Sequence, residues 1–401
     1  MRQVTKVIHI NDNIRLSGGA EVYLEQLARL SAGCGWETDW LSVQRVGRRV
    51  AVLRHGHSGW FWNGEIKSLG DFLCGELRTS ENALLHVHNI SDPRLTSRLF
   101  DLAPVVRTMH DPRMFCPGQG KFWNVAEVPC ERPFGIHCLW HAYSQRCCNR
   151  HPKRLVAGVC NARFEVGAGA ARYAVVIANS RFMKRQAILA GMPEGRIAVL
   201  PCFTQEVPAL EANLLSQSRQ VLFAGRLTKT KGVHLLLRAF ALLRHELPDA
   251  TLAIAGEGMD RDFFVNLANA LGIHNAVTFH GWCARDKVNA LIQQSSVIAF
   301  PSICPEAFGM GGIEAMMHGR PVVAFDAGGV REWLQDGVTG MLVRPKDINA
   351  FAAAMSGLLA TTSLCAAMGK AARAAALRDF TPTKHLERLR DLYNAALSRG
   401  R

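Results

Sequence analysis

The chain has 401 residues, 48% of them hydrophobic, which is enough for two domains with sizeable cores. Its formal net charge is +14 and is uneven: residues 1–200 carry 26 Lys+Arg against 16 Asp+Glu, residues 201–401 only 21 against 17. No uninterrupted apolar run reaches the ~18 residues of a membrane span, and no helix-turn-helix, zinc-finger or RNA-binding signature accompanies the basic residues. MRQVTKVIHIND enters a strand-like run at once, so the expectation is a cytosolic protein without a nucleic-acid partner. The excess of arginine serves solubility, or suits a phosphorylated substrate or an anionic membrane surface.

Lys6 to Ile10 reads as a first buried strand, and SGGAEVYLEQLARLSA opens a helix near Gly19. Gly18 and Gly19 bring backbone amides to a helix start, where an anion is favoured. A bare glycine pair is also an ordinary turn, and G-x-G-x-x-G is absent. Residues 37–43, 83–88 and 104–109 read as further strands, with helical stretches near 68–78 and 93–101. This alternation predicts a doubly wound parallel sheet. The strand VVRTM delivers His110 and Asp111 at its carboxyl end, where the aspartate is placed to orient or charge the imidazole. A satisfied structural histidine is the alternative.

From Cys116 to Cys148 the pattern breaks. Five of twelve cysteines fall here with spacings C-x13-C-x7-C-x8-C-C, close to His137, His141 and His151. No C-x2-C pair supports zinc, a reducing cytosol disfavours disulfides, and thiols packed as small hydrophobes remain. The insertion also holds Phe122, Trp123, Phe134 and Trp140, an aromatic and basic surface suited to a sugar or lipid acceptor. Residues 173–180 read as the last strand of the first half, and the polar stretch 204–219 as a linker.

VLFAGRLTKTKGVHLLLRAFALLRHE restarts the strand–helix pattern. It sets Arg226 and Lys231 five residues apart at a strand end, where two cations suit a diphosphate. The next strands end at Gly256 and Gly258, and at Gly281 and Trp282, the last a place for a nucleotide base. Val297 to Phe300 forms a short apolar strand, followed by a loop with Glu306, Phe308, Gly309 and Met310 and a helix carrying Glu314 and stopping at Gly319. Such a loop lies where open α/β sheets bind ligands. Glu306 and Glu314 are eight residues apart, with amides between them free to meet an anion or hydroxyls. After Leu342 the pattern turns helical and alanine-rich to about residue 378.

PEAFGMGGIEAM, with the R-x4-K pair, resembles glycosyltransferase family 4, whose members carry an E-x7-E motif of this form. The likeness is strongest over 221–343 and weakest over 40–80 and 112–172. It implies an α/β protein of GT-B architecture, two Rossmann-like domains facing each other across a cleft. Residues 1–203 would form the acceptor domain, with the cysteine-rich insertion at about 112–160. Residues 220–379 would form the donor domain, and a helix over about 380–401 would pack back on the first.

The resemblance implies transfer of a sugar, with retention, from a UDP- or GDP-sugar to a hydroxyl acceptor in cell-surface polysaccharide or lipopolysaccharide synthesis. In that picture Arg226 and Lys231 hold the diphosphate, while Glu306 and the amides of Phe308, Gly309 and Met310 hold the sugar. Glu314 binds the ribose, His110 lies near the donor sugar, and Gly18, Gly19 and Glu21 face the substrates. A nucleotide-sugar epimerase or a non-catalytic binding subunit would share the donor pocket. No metal is expected: the single D-x-D, Asp260–Arg261–Asp262, suits a helix N-terminus.

Overall fold

The computed structural model describes residues 3–12, 19–31, 34–46, 49–54, 62–78, 80–208 and 219–399. The chain divides into two compact units, one running to Cys202 and taking in the chain from Thr383 onward, the other Phe203–Pro382.

The first unit carries strands β1 (Lys6–Asn11), β2 (Glu37–Val46), β3 (Arg49–Arg54), β4 (Trp62–Glu65), β5 (Ala83–Val87) and β6 (Val105–Met109). A two-stranded ribbon of β7 (Phe122–Trp123) and β8 (Val128–Pro129) follows, then β9 (Val175–Ala178) and β10 (Ile197–Val199). The sheet order is β10-β9-β6-β5-β1-β2-β3-β4. Pairing is parallel from β10 to β2 and antiparallel from β2 to β4. Every residue of β1 and β6 is buried, as expected of parallel strands covered on both faces. One expectation is corrected. The strand over 173–180 is not the last of this half, because β10 adds a short edge strand beside β9. Residues 49–54 and 62–65 add β3 and β4, for which the sequence suggested no element; Val50, Ala51 and Val52 of β3 are buried.

The helix Pro382–Arg399 belongs to this unit and is tied into it by polar contacts. His385 donates from Nδ1 to the Pro201 carbonyl (2.8 Å), so its Nε2 accepts from the Tyr23 hydroxyl at 2.8 Å. The Tyr393 hydroxyl meets His86 Nδ1 at 2.7 Å.

The second unit carries β11 (Gln220–Ala224), β12 (Thr251–Ala255), β13 (Val277–Gly281), β14 (Val297–Phe300), β15 (Val322–Phe325) and β16 (Gly340–Val343). All are parallel, in the order β13-β12-β11-β14-β15-β16. Counted within the unit this is 3-2-1-4-5-6, and the order reverses between β11 and β14. β16 runs through Leu342, so the helical stretch starts later than the sequence suggested, with helices Ile348–Ala360 and Thr362–Asp379. Most of the expected linker, 209–218, lies outside the described residues. Among those described, no single helix is long and apolar enough to cross a membrane.

Candidate functional site

In the second unit the reversal point fixes what can meet. The chain leaves β11 through Gly225 and Arg226, makes a short 3₁₀ turn at Lys229–Lys231, and enters the helix Val233–Glu246 through Gly232. The chain leaving β14 passes through Ser302 and Glu306 to the helix Met310–Met317. The two loops converge, and Lys231 Nζ donates to Glu306 Oε1 at 2.6 Å with 34% and 13% of the side chains exposed. The Ser302 hydroxyl donates to the same oxygen. Glu306 Oε2 has no partner among the described residues. Arg226 is exposed and forms no ion pair among them.

Backbone locks hold the Glu306 loop. Gly329 N–H donates to the Glu306 carbonyl (2.7 Å), and a Cβ on Gly328 would lie 2.4 Å from that oxygen. Trp333 Nε1 donates to the Phe308 carbonyl at 2.7 Å. Phe308 itself is buried. Gly309 takes the left-handed conformation (φ 97°) at the N-cap, which turns the chain into the helix. The Gly312 N–H donates to the Gly309 carbonyl at 3.0 Å, while the Met310 and Gly311 amides before it have no intrahelical partner.

Glu314 does not join Glu306. It faces Arg285 at 3.8 Å, and burial lifts its carboxyl above the usual range while the arginine pulls it back. Gly256 and Gly258 are required by packing: added Cβ atoms would lie 1.9 Å from the Gly225 carbonyl and 2.2 Å from the Leu227 carbonyl. The loop after β12 is thus laid on the loop after β11. Trp282, 77% exposed, follows the outer strand β13. Asp260 precedes its helix without capping it, and its carboxylate instead accepts from the Lys229 N–H at 2.8 Å. Asp262 is 95% exposed.

In the first unit Gly18 lies outside the described residues, and Gly19 begins the helix Gly19–Ser31. His110 is not oriented by Asp111. That carboxylate is held by Arg113 through Nε at 2.9 Å and Nη2 at 2.8 Å, and it caps the turn Pro112–Met114. The His110 ring instead meets His88 Nδ1 at 3.0 Å, and His88 Nε2 meets His9 Nδ1 at 3.0 Å. This line arises because His9 lies opposite His86 in register, and His88 is two residues on from His86, on the same face. His9, His86 and His88 bring ring nitrogens within 4.8 Å of one another. His86 uses both nitrogens, on Tyr393 and Thr108, and His88 uses both on histidines. The trio is a hydrogen-bonded stack with no spare ligand set.

Burial lowers His9 and His110 to about 3, and pushes His86 and His88 well below their ordinary value. Below pH about 6.5 the unfolded chain gains protons that the folded chain refuses, so stability falls as pH falls through that range. Each fully buried imidazole costs roughly 1.4 kcal/mol per pH unit there. Thermal melts are therefore expected to shift steadily downward from pH 7 to pH 5. A flat profile would show that the stack accepts protons while folded.

The sequence did not point to Ser302, Arg285, Trp333 or the His9–His88 line. For the last, the alternation LHVHN in β5 was a readable signal, since residues two apart on a strand share a face.

Residues 210–375 match a family model described as glycosyl transferases group 1. A putative glycosyltransferase, EpsD of Bacillus subtilis, is 34% identical over 175 residues, 44% of this chain and 45% of that protein. A D-inositol 3-phosphate glycosyltransferase of Mycolicibacterium paratuberculosis is 38% identical over 160 residues, 38% of this chain and 35% of that protein. The chain thus spans less than half the length of these curated relatives. The crystal structure of HepE from Anabaena in complex with UDP superposes with TM-score 0.67 at 19% identity, over 96% of this chain and 99% of that one. At that identity the likeness is one of fold, and the chain has the GT-B fold, with two Rossmann-like domains.

Proposed function

We propose that the protein is a retaining glycosyltransferase that moves a sugar from a nucleoside diphosphate sugar to a hydroxyl acceptor, in the assembly of a cell-surface polysaccharide or lipopolysaccharide. The observation that carries this reading is the Lys231–Glu306 pair at the strand reversal, with Arg226 exposed on the same loop. The UDP named in the HepE complex and the matching family model support a nucleotide-sugar donor.

The site residues divide the work by charge. Arg226 and Lys231 bind the diphosphate and stabilise the charge that grows on it as the sugar–phosphate bond breaks. Glu306 has Oε1 saturated by Lys231 and Ser302, and presents Oε2 to a sugar hydroxyl. The amides at Gly309 and Met310 hold further oxygens. The acceptor hydroxyl loses its proton to the departing phosphate oxygen on the face the phosphate leaves, which retains the anomeric configuration. The anomeric proton coupling of the first-formed product, read by NMR, tests this. Inversion would overturn the mechanism, and turnover of a donor without any acceptor to an epimer would overturn the reaction class.

Metal is not required in this scheme. Asp260 is committed to the Lys229 amide, and the exposed Asp262 lies beside Arg261 at 3.6 Å, while Arg226 and Lys231 already supply the positive charge. Turnover should survive excess EDTA, and the double variant Asp260→Asn, Asp262→Asn should stay within about threefold of the parent. Loss in EDTA restored by Mg²⁺ or Mn²⁺ would refute it.

A further inference from the structure

The insertion after β6 turns an apolar face outward. In the helix His137–Ser144, Cys138 and Ala142, one turn apart, face the protein, and Ala142 is fully buried. The opposite stripe, at i, i+3, i+4 and i+7, is Ile136, Leu139, Trp140 and Tyr143, exposed by 87%, 39%, 74% and 54%. An amphipathic helix ordinarily buries its apolar stripe. Here the stripe is the exposed side, and Val125 and Val128 of the neighbouring ribbon are exposed as well. A contiguous apolar patch rimmed by polar groups marks an interaction surface.

The rim indicates what it meets. Arg132, Arg146, Arg150, Lys153 and Arg154 are all exposed, and none forms an ion pair among the described residues. Against them the same stretch carries only Glu127 and Glu131. Trp140 and Tyr143 are the side chains that settle at a membrane–water boundary, with an apolar body and a polar tip. Unpaired arginines around them match anionic headgroups, while the apolar stripe matches the acyl boundary. We propose that the helix His137–Ser144 lies in the plane of an anionic membrane surface and inserts Ile136, Leu139, Trp140 and Tyr143 between the headgroups. The basic first half of the sequence suggested an anionic surface, and the structure points to the element that would meet it. This surface is independent of the sugar-transfer reading and can be probed without turnover.

The test is flotation of the full chain with vesicles of phosphatidylcholine, with and without phosphatidylglycerol, at low and high salt. Binding should require the anionic lipid and weaken with salt, each Lys or Arg near the surface contributing about fivefold. Ile136→Ser with Trp140→Ser should weaken binding by at least about tenfold and leave the melting temperature unchanged, since both side chains are already exposed. Arg146→Gln with Arg150→Gln should weaken binding and flatten its salt dependence. In the parent, phospholipid brominated near the top of the acyl chain should quench tryptophan emission that the Trp140→Phe variant lacks.

Absence of binding, equal binding to neutral vesicles, or full binding by the Ile136→Ser, Trp140→Ser variant would each overturn the proposal. Self-association in light scattering that this variant abolishes, without vesicle binding, would instead assign the face to a second copy of the chain. UDP affinity measured on the same preparations reports the donor site separately, so failure here and failure of the proposed function remain distinguishable.

Discussion

Replacing Lys231 by alanine should lower kcat/KM by roughly 100-fold or more, as loss of a charged group stabilising a leaving group does. Arg226→Ala should do the same. Neither should change the melting temperature greatly, because Arg226 is exposed and the Lys231–Glu306 pair is partly solvated, a setting in which ion pairs add about 1 kcal/mol or less. The pairing makes a sharper prediction possible. Without donor, Glu306 neutralises Lys231, so it competes with a diphosphate for that ammonium. Glu306→Gln should therefore leave UDP affinity intact or a few-fold tighter while depressing sugar transfer, whereas Lys231→Ala should weaken UDP itself. Calorimetry with UDP and steady-state kinetics with the sugar nucleotide separate these effects. Unchanged UDP affinity in Lys231→Ala would place the diphosphate elsewhere.

The second large effect is on stability. Gly232 joins the Lys231 turn to its helix at φ 73°, and a Cβ there would stand 1.8 Å from the Pro301 carbonyl at the end of β14. Gly232→Ala thus combines left-handed strain with an overlap that only backbone movement can relieve. Together they should destabilise by about 3 kcal/mol or more. Gly337→Ala is the matched control, with φ 70° but nothing within 4 Å of the added carbon. It should cost only the strain, about 1 kcal/mol. Equal losses in the two variants, read from denaturant midpoints, would show that the approach of Gly232 to β14 does not hold the two loops together.

What the sequence disclosed depended on how local the signal was. Strands β11 to β14 were legible because each is a short run ending in glycine or proline, and the loop carrying Glu306 announced itself by its glycines. The meeting of Lys231 with Glu306 was not legible from spacing, since 75 residues separate them and only the sheet order brings β11 beside β14. The likeness to a family supplied that adjacency before the sheet explained it. β4 and β10 escaped because they are edge strands, which need no apolar run, and have only four and three residues. The orienting role expected of Asp111 fails because adjacency in sequence says nothing of where a carboxylate turns, and Arg113, two residues on, claims it. Against the larger effect of burial, the Asp111 charge still raises the His110 pKa.

The return of the last helix to the first unit has a consequence for how the chain is made. Phe203–Pro382 is continuous and can fold as soon as it has left the ribosome. The first unit, although synthesised earlier, lacks Tyr393 for His86 and His385 for Tyr23 until the final residues emerge. Nascent domains generally fold in the order of their synthesis. In this protein the earlier-made unit closes last, and a stop codon directly after Pro382 would leave the later-made unit whole and the earlier one unfinished.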